Sequence, residues 1–195
     1  MTTFIALLRA VNVGGRSVPM AGLRTLLADL GCANPRTLLQ SGNAVFTMAG
    51  RTAETVLERK LEAEAQRRFG MAIPFLLRTA AEWDAIVARN PFRDAAKNDP
   101  GHLLLMALKG APAAAAVKAL RDGYQGPESI AVVGRDMYLV YPEGVGRSKL
   151  TNALIERKLG FAGTGRNWNT VLKLAALAAA KPHTPGRYPG DTAFA

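Results

Sequence analysis

The stretch FIALLRAVNVGGRSVPMAGLRTLLADLG, residues 4–31, decides how the fold begins. Its first residues, 4–12, are apolar on both faces of an extended chain, which predicts a strand that is covered on both sides. Apolar residues then recur at helical spacing from Pro19, which suits a first helical turn, to Gly31, which suits a helix C-terminus. A strand, a loop with two glycines and a helix are therefore predicted in this order.

The next segments extend this start to the order β-α-β-β-α-β. Residues 36–40 and 44–48 are predicted as a β-hairpin in which Gly42 is free to take a positive φ. An amphipathic helix is predicted at about 52–69, and a further strand at 72–79. This order is that of the split βαβ unit in ferredoxin-like folds.

The second half of the chain repeats the order β-α-β-β-α, after a helix whose Thr79 and Glu82 have capping-box spacing. The strings GRTAETVLERKL (50–61) and GRSKLTNALIERKL (146–159) occupy the same place in the two orders. They are explained either by duplication or by a chance match of short helical strings. Where a last strand is due, residues 164–181 are predicted to form a helix instead.

These patterns predict an α+β protein with three parts. Residues 1–79 are predicted to form a ferredoxin-like (βαββαβ) domain. Residues 80–181 are predicted to form a related βαββα domain with an extra C-terminal helix, which is a diverged duplicate of the first domain under the duplication hypothesis. Residues 182–195 contain three prolines and two glycines and are predicted to be a flexible C-terminal tail.

The net charge of +10 is concentrated in the two end segments. Residues 1–53 contain five basic and one acidic side chains, residues 145–195 contain eight and two, and residues 54–144 are balanced. This distribution favours polyanionic partners such as nucleic acid, nucleotides or phosphorylated metabolites. The alternative explanation is a solvated surface that is simply rich in arginine.

Several classes of protein do not fit the sequence. The N-terminus has no basic leader, and no apolar run approaches the roughly 20 residues that span a bilayer, which predicts a cytoplasmic protein with no membrane partner. The single cysteine, Cys32, excludes an internal disulfide and a multi-cysteine metal site. It is predicted to be a small buried residue. The oligomeric state is left open.

Two polar loops are predicted to meet at one edge of the first sheet. In a split βαβ unit the first two strands run parallel, so the loop at 12–17 and the turn at 40–43 follow strand ends on the same side. Glycine amides, the start of a helix and an arginine fork would bind an anion there. The alternative is that these residues only form turns and caps, with Ser17 capping the helix and Asn43 serving the hairpin. The candidate ligand-binding residues of this edge are Asn12, Gly14, Gly15, Arg16, Ser17, Gln40, Ser41 and Asn43.

A third polar motif, TGRNWNTV at 164–171, begins the last predicted helix. Asn167 or Asn169 suits the N-cap of that helix. Trp168 either packs in the core or stacks on a base or another ring. Capping needs only one asparagine and does not involve Arg166, so capping does not account for the whole motif. Its residues Arg166, Asn167, Trp168 and Asn169 are therefore also candidates for ligand binding.

Known catalytic signatures are absent from the sequence. Both Gly-Arg-Ser triplets lack the lysine of a phosphate-binding P-loop, and the first glycine pair lacks the spacing of the dinucleotide fingerprint. His102 and His183 have no plausible serine or cysteine partner, and no pair of carboxylates adjoins the glycine loop. A sheet that binds RNA exposes aromatic residues on its first and third strands, where this sequence has Phe4 and Phe46 among aliphatic neighbours. No catalytic residue, metal or cofactor is therefore assigned.

The motifs IALLRAVNVGGRSVPMAGLRTLLADLG, LQSGNAVF and TGRNWNTVLKL together resemble a bacterial family known as domain of unknown function 1697. Their order and placement match, and they span the chain up to about residue 180. The resemblance implies two successive α+β domains, the first ferredoxin-like, and brings no activity, cofactor or catalytic residue. Members of the family often carry glycine where this chain has Ala10. The motif residues that carry over are Arg9, Asn12, Gly14, Gly15, Gln40, Ser41, Gly42, Asn43, Arg166, Asn167, Trp168 and Asn169.

Three functions are compatible with these features. The leading hypothesis is a cytoplasmic protein that binds a phosphate-bearing anionic ligand, such as a nucleotide or a nucleic-acid backbone, at the edge of the first domain. One alternative is a small metal-independent enzyme of transferase type with an unknown substrate, so whether the protein is an enzyme is left open. The other is a non-catalytic protein-interaction domain.

Overall fold

The computed structural model describes residues 1–15, 17–50 and 52–180. The predicted tail at 182–195 lies outside these residues. The elements of the first half are β1 (Thr2–Leu8), α1 (Met20–Asp29), β2 (Ala33–Leu38), β3 (Asn43–Met48), α2 (Glu54–Phe69), β4 (Phe75–Thr79) and α3 (Ala80–Ala88). Those of the second half are α4 (Arg93–Asn98), β5 (Leu103–Leu108), α5 (Ala114–Gly123), β6 (Ser129–Val133), β7 (Asp136–Val140), a 3₁₀ turn (Val145–Arg147), α6 (Asn152–Leu159), β8 (Gly163–Asn167) and α7 (Trp168–Ala179).

The strands form two four-stranded sheets with the same topology. The strand order is β2-β3-β1-β4 in the first sheet and β6-β7-β5-β8 in the second. Each neighbouring pair is antiparallel, so β1 and β2 run parallel to one another with β3 between them. This arrangement confirms the predicted α+β fold class and the βαββαβ order of the first half.

One predicted element differs in the second half. Residues 164–167, expected to belong to the last helix, form the strand β8 (Gly163–Asn167) together with Gly163, and this strand pairs with β5 at the edge of the second sheet. The string Gly-Thr-Gly carries no apolar alternation, so its strand character comes from pairing with β5 and not from its own residues. A Cβ at Gly163 would lie 3.0 Å from the main-chain oxygen of Ala107, which cannot move away easily, so glycine suits this position. Both halves are therefore βαββαβ units followed by a helix.

Local signals at the helix ends behave as the sequence predicts. The Thr79 hydroxyl accepts a hydrogen bond from Glu82 N, and the Glu82 carboxylate accepts one from Thr79 N, which completes the capping box of α3. Gly42 has φ +74° in the β2–β3 turn, and Gly31 has φ +80° just after α1. These positions illustrate turn and capping rules that depend only on neighbouring residues.

Three apolar clusters arrange the elements in layers. The outer face of the first sheet packs against α1 and α2, and that of the second sheet packs against α5 and α6. A central cluster joins the inner faces of both sheets to α3 and α7, and its largest members are Trp83 and Trp168. Because β1 lies between an outer and a central cluster, its residues are apolar on both faces. The other half of the same chain provides this second cover.

The two halves exchange equivalent contacts between their sheets. Arg78 in β4 donates from Nη2 to Asp136 Oδ1 at 2.8 Å and to Leu108 O at 3.1 Å. Arg166 in β8 donates from Nε to Asn43 Oδ1 at 2.5 Å and from Nη2 to Leu8 O at 2.9 Å. The last strand of each half thus sends an arginine to the hairpin and first strand of the other half. Duplication, which would account for this reciprocity, stays a prediction. The boundary between residues 79 and 80 stays a prediction.

A second reciprocal pair follows the first strand of each half. Arg9, just after β1, donates from Nε and Nη2 to the two carboxylate oxygens of Glu156 in α6, at 2.9 and 2.8 Å. Lys109, just after β5, donates to Glu58 at 2.8 Å and to Glu62 at 2.6 Å, both in α2. Each half therefore pairs a cation with carboxylates on a helix of the other half.

Within the described residues, every helix falls short of the length and apolarity needed to cross a bilayer.

Candidate functional site

The loop after β1 and the β2–β3 turn lie against one another. Asn12 Nδ2 donates to Gln40 O at 2.5 Å, and Leu8 N donates to Gly42 O at 2.8 Å. We call these two segments, residues 9–19 and 39–43, the loop edge. Their contact agrees with the topological prediction, because the C-terminal ends of β1 and β2 lie on the same side of the sheet.

Asn12 shapes the loop edge with its whole side chain. Its Oδ1 accepts a hydrogen bond from Val18 N at 2.8 Å, and its Nδ2 donates to Val18 O at 3.2 Å as well as to the β2–β3 turn. The residue itself has φ +55°, a conformation that asparagine tolerates better than most side chains. Asn12 therefore holds the long loop closed.

Arg166 brings the RNWN motif to the same edge. Its Nη2 donates to Leu8 O and Ser41 O, each at 2.9 Å, and to Gly42 O at 3.2 Å. Only 8% of the residue is exposed, and this burial lowers the pKa of the guanidinium to about 10. Because these hydrogen bonds are made to main-chain groups in and beside the loop edge, the arginine stabilises the edge from beneath.

Asn43 and Arg9 are also engaged within the protein. Asn43 is fully buried, donates from Nδ2 to Leu38 O at 2.8 Å and accepts from Arg166 at Oδ1. Arg9 is paired in a two-pronged ion pair with Glu156. The geometry thus gives both residues a role in holding the two halves and the hairpin together.

The remaining residues of the RNWN motif lie in and around the start of α7. Asn167 is the N-cap, and its Oδ1 accepts from Thr170 N at 3.0 Å. Trp168 is buried, with its ring 6.3 Å from that of Tyr138. Asn169 is exposed. Capping and core packing therefore account for Asn167 and Trp168.

Several predicted residues remain exposed at the loop edge. They are Gly14, Gly15, Ser17, Gln40 and Ser41. Arg16, predicted to pair with an anion, lies outside the described residues. The edge also concentrates left-handed backbone, since Ala10, Asn12, Gly14, Gly15, Leu39 and Gly42 all have positive φ. At Ala10, Asn12 and Leu39, which are not glycines, this conformation costs free energy, and such strained positions cluster at functional sites.

The second half provides an internal control for this edge. The connection from β1 to α1 spans residues 9–19, whereas the equivalent connection from β5 to α5 spans only 109–113. The turn between β2 and β3 spans residues 39–42, whereas that between β6 and β7 spans only 134–135. The same fold thus forms with far shorter connections. The additional residues of the first half are not needed to close the sheet.

The start of α1 faces this edge without a side-chain cap. Its N-cap residue is Pro19, which makes no side-chain capping hydrogen bond, and its first turn contains no acidic residue. The alternative prediction, in which Ser17 caps the helix, is therefore wrong. The first N–H groups of a helix have no partner within the helix and carry partial positive charge. They add to the positive character of the edge.

Residues that suggest other chemistry are engaged elsewhere or unreactive. Burial raises the pKa of Cys32 to about 11, so the thiol is protonated and inert at neutral pH. His102 Nδ1 lies 2.7 Å from Asp99 Oδ2, in a contact that involves no serine or cysteine. No cluster of three or more metal-ligating side chains occurs among the residues that the structure describes.

Two glycines of the loop edge are expected to respond differently to alanine. Both are left-handed, with φ +57° at Gly14 and +74° at Gly42, so each substitution costs about 1 kcal/mol in backbone strain. A Cβ at Gly14 meets no atom within 4 Å, whereas one at Gly42 clashes with Val11 Cγ2 and lies 2.7 Å from Leu8 Cβ. Gly42→Ala should therefore lower the free energy of unfolding by about 3 kcal/mol in total. Urea denaturation of both variants checks this, and equal losses would show that the turn does not touch the loop.

The comparisons with known proteins come from sequence and from structure. The sequence model of a family described as "Protein of unknown function (DUF1697)" matches residues 1–138. No curated protein matches the chain. A conserved bacterial protein, SP0830 from Streptococcus pneumoniae, has a similar solved structure, with a TM-score of 0.73 and 21% identity over 92% of this chain and 99% of that one. At this identity the similarity concerns the fold alone.

Proposed function

From the premise that this chain belongs to the DUF1697 family of proteins of unknown function, we propose that its loop edge binds a phosphate-bearing anionic ligand. A nucleotide or a nucleic-acid backbone is the proposed ligand class, and the cytoplasm is the proposed compartment. The residues proposed to contact the ligand are Gly14, Gly15, Arg16, Ser17, Gln40 and Ser41. Asn12, Asn43 and Arg166 are proposed to support them from within the protein.

The observation that carries this proposal is the internal comparison of the two halves. Residues 9–19 and 39–42 are longer than their counterparts, 109–113 and 134–135, although the strand order of the two sheets is the same. Ordering additional residues costs conformational entropy, and left-handed backbone adds strain to that cost. Since the sheet closes without them, their retention is best explained by a ligand that they contact.

The chemistry of the exposed groups favours an anion. Gly14 and Gly15 present exposed main-chain groups, and the uncapped start of α1 offers further N–H donors. The only carboxylate within residues 1–53, Asp29, lies at the other end of α1 and pairs with Arg68 at 2.6 Å. Arg16 would add a planar fork that matches phosphate geometry.

Two exposed apolar side chains favour a ligand that is more than a simple phosphate. Val13 is 58% exposed and Leu39 is 53% exposed. Val13 follows Asn12 in the sequence and Leu39 precedes Gln40, and Asn12 and Gln40 are joined by a hydrogen bond. An exposed apolar pair beside an anion site suits a ligand with a ring next to its phosphate, as in a nucleotide. The same pair is also the observation that favours the second candidate function, the binding of another protein.

Calorimetry with inorganic phosphate, AMP, ATP and a single-stranded RNA oligonucleotide tests the proposal. Arg16→Ala should weaken binding by at least about tenfold, because a hydrogen bond to a charged group contributes about 1.5–3 kcal/mol. Arg59→Ala is the matched control, since Arg59 is exposed on α2 and its Nε donates to Thr55 O within the same helix. Binding that is equal in the two variants, or absent in the wild type, would refute the proposal.

Salt dependence separates the two ligand sources. Binding to a nucleic-acid backbone releases several counterions, so the logarithm of its affinity falls steeply with the logarithm of salt concentration. A single mononucleotide shows a much shallower dependence because it carries few charges. A steep slope with RNA and weak binding of ATP would assign the edge to nucleic acid, and the reverse would assign it to a nucleotide.

A further inference from the structure

A cleft of about 470 Å³ lies on the second half of the chain. It is formed by residues 124–128, which connect α5 to β6, and by residues 143–149, within the connection from β7 to α6. We call it the α6 cleft. None of its lining residues belongs to the loop edge.

The two connections that form the α6 cleft are longer than their counterparts in the first half. The connection from β7 to α6 spans 141–151, whereas that from β3 to α2 spans 49–53. The connection from α5 to β6 spans 124–128, whereas that from α1 to β2 spans 30–32. The fold therefore does not require the additional residues, which include the second Gly-Arg-Ser triplet.

A carboxylate and two hydroxyl groups interact within the cleft. Tyr124 OH donates to Glu128 Oε2 at 2.6 Å, and Ser148 Oγ donates to Glu128 Oε1. Leu150 N donates to Ser148 Oγ at 2.9 Å, which fixes the serine. Burial raises the pKa of Glu128, but the hydrogen bonds from Ser148 and Tyr124 outweigh this and hold it below its ordinary value. The carboxylate is therefore ionised at neutral pH.

This arrangement determines what the cleft offers a ligand. The hydroxyl protons of Tyr124 and Ser148 are both directed to Glu128. The oxygens of these three side chains therefore offer a ligand only lone pairs, which accept hydrogen bonds and donate none. Glu143 adds an exposed carboxylate to the lining. These groups together suit a ligand that brings its own donors, such as an ammonium.

Cations line the same cleft. Arg147 and Lys149 flank Ser148 in the sequence, are exposed and line the cleft. The ion pairs between described residues include neither of them, nor Glu143. Their charges are thus available to a carboxylate from a ligand.

We propose that the α6 cleft binds a zwitterionic small molecule of the α-amino-acid class. Its ammonium is placed against Glu128 and Glu143, and its carboxylate against Arg147 and Lys149. Opposite charges within one small cleft select a ligand that carries both, because an ion of either single sign leaves one pair of side chains unmatched. The cleft is large enough for such a molecule.

Nuclear magnetic resonance with the L-amino acids as probes tests this proposal on the full chain. At least one of them should shift the amide signals of residues 124–128 and 143–149 at millimolar concentration. Two analogues of the tightest-binding amino acid serve as matched probes. One is the amine that lacks the carboxylate, and the other is the carboxylic acid that lacks the ammonium. Each should bind at least about tenfold more weakly than the amino acid. No shift with any amino acid, or equal binding of either matched probe, would overturn the proposal.

Variants assign the two ends of the ligand. Arg147→Gln should lower the affinity for the amino acid to about the wild-type affinity for the matched amine, which lacks the carboxylate. Glu143→Gln should lower it to about the wild-type affinity for the matched carboxylic acid, which lacks the ammonium. Arg121→Gln, at an exposed basic residue of α5 outside the cleft, is the control and should bind like the wild type. All three positions are exposed, so the variants are expected to fold. If Arg147→Gln also binds like the wild type, the proposed charge pairing is wrong.

Discussion

Arg166→Met is expected to lower the free energy of unfolding by about 4 kcal/mol, although methionine fills a similar space. The guanidinium donates to Leu8 O, Ser41 O and Asn43 Oδ1, all of which lie in the other half of the chain. The thioether that replaces it offers no donor, so these acceptors lose a charged partner at a buried position. Urea denaturation, followed by circular dichroism, measures the loss.

Two further variants show whether the loss comes from the shape of the guanidinium. Arg166→Lys keeps the charge but has no planar fork, and should lose about half as much stability. Arg24→Ala is the control for removing an arginine, because Arg24 is exposed and, among the described residues, its side chain donates only to Thr37 Oγ1. Its effect should stay within about 0.5 kcal/mol. If Arg166→Met is as mild as the control, the hydrogen bonds beneath the loop edge do not stabilise the fold.

Arg78→Met should have a comparable effect, about 4 kcal/mol, for a different reason. The side chain of Arg78 is 1% exposed and pairs with Asp136 at 2.8 Å. Removing the cation leaves a carboxylate in the core without its counter-ion. Arg166, by contrast, faces a neutral amide at the equivalent position, Asn43.

The pH dependence distinguishes this second effect. Burial already raises the pKa of Asp136, and the attraction of Arg78 opposes that rise. Without Arg78 the pKa of Asp136 in the folded state rises further above its value in the unfolded state. As the pH falls, Asp136 therefore takes up a proton in the folded state before it does so in the unfolded state. The stability lost by Arg78→Met should therefore be largest at neutral pH, where Asp136 is ionised, and should shrink as the pH falls through the raised pKa of Asp136. A loss that is independent of pH would show that Asp136 does not carry the cost.

A double variant completes the test. Arg78→Met with Asp136→Leu replaces the buried ion pair by two apolar side chains, and should recover about 2 kcal/mol or more of the loss in the single variant. The cycle of four proteins isolates the interaction between the two residues. If the double variant is no more stable than Arg78→Met alone, the unpaired carboxylate is not the source of the instability.

Much of the fold follows from local patterns in the sequence. The helical spacing that begins at Pro19 and the capping box of Thr79 and Glu82 predict helices that the structure contains. The meeting of the two polar loops follows from the βαββ order alone, because that order fixes which strand ends share a side. The strand β8 does not follow from local patterns, since Gly-Thr-Gly has no apolar alternation and becomes a strand only by pairing with β5.

The contact between the two polar loops follows from the sequence, but the hydrogen-bonding role of each residue in them does not. Asn12, Asn43 and Arg166 were expected to contact a ligand, whereas their hydrogen bonds hold the loop edge together. An arginine in a sequence looks the same whether solvent or main-chain carbonyls surround it. Arg78 carried no signal at all, because it lies in an ordinary strand and its partner is 58 residues away.

The sequence by itself determined most of the secondary structure, apart from strand β8, together with the α+β class, the position of the loop edge and the excess of positive charge at the two ends of the chain. These properties depend on periodicity, turn chemistry and charge, which each segment carries in its own residues. Only the tertiary structure decided which polar residues are buried and which are open to a ligand. That distinction arises when the two halves pack with exchanged arginines, and it depends on contacts between residues more than 100 positions apart, such as Arg166 and Ser41.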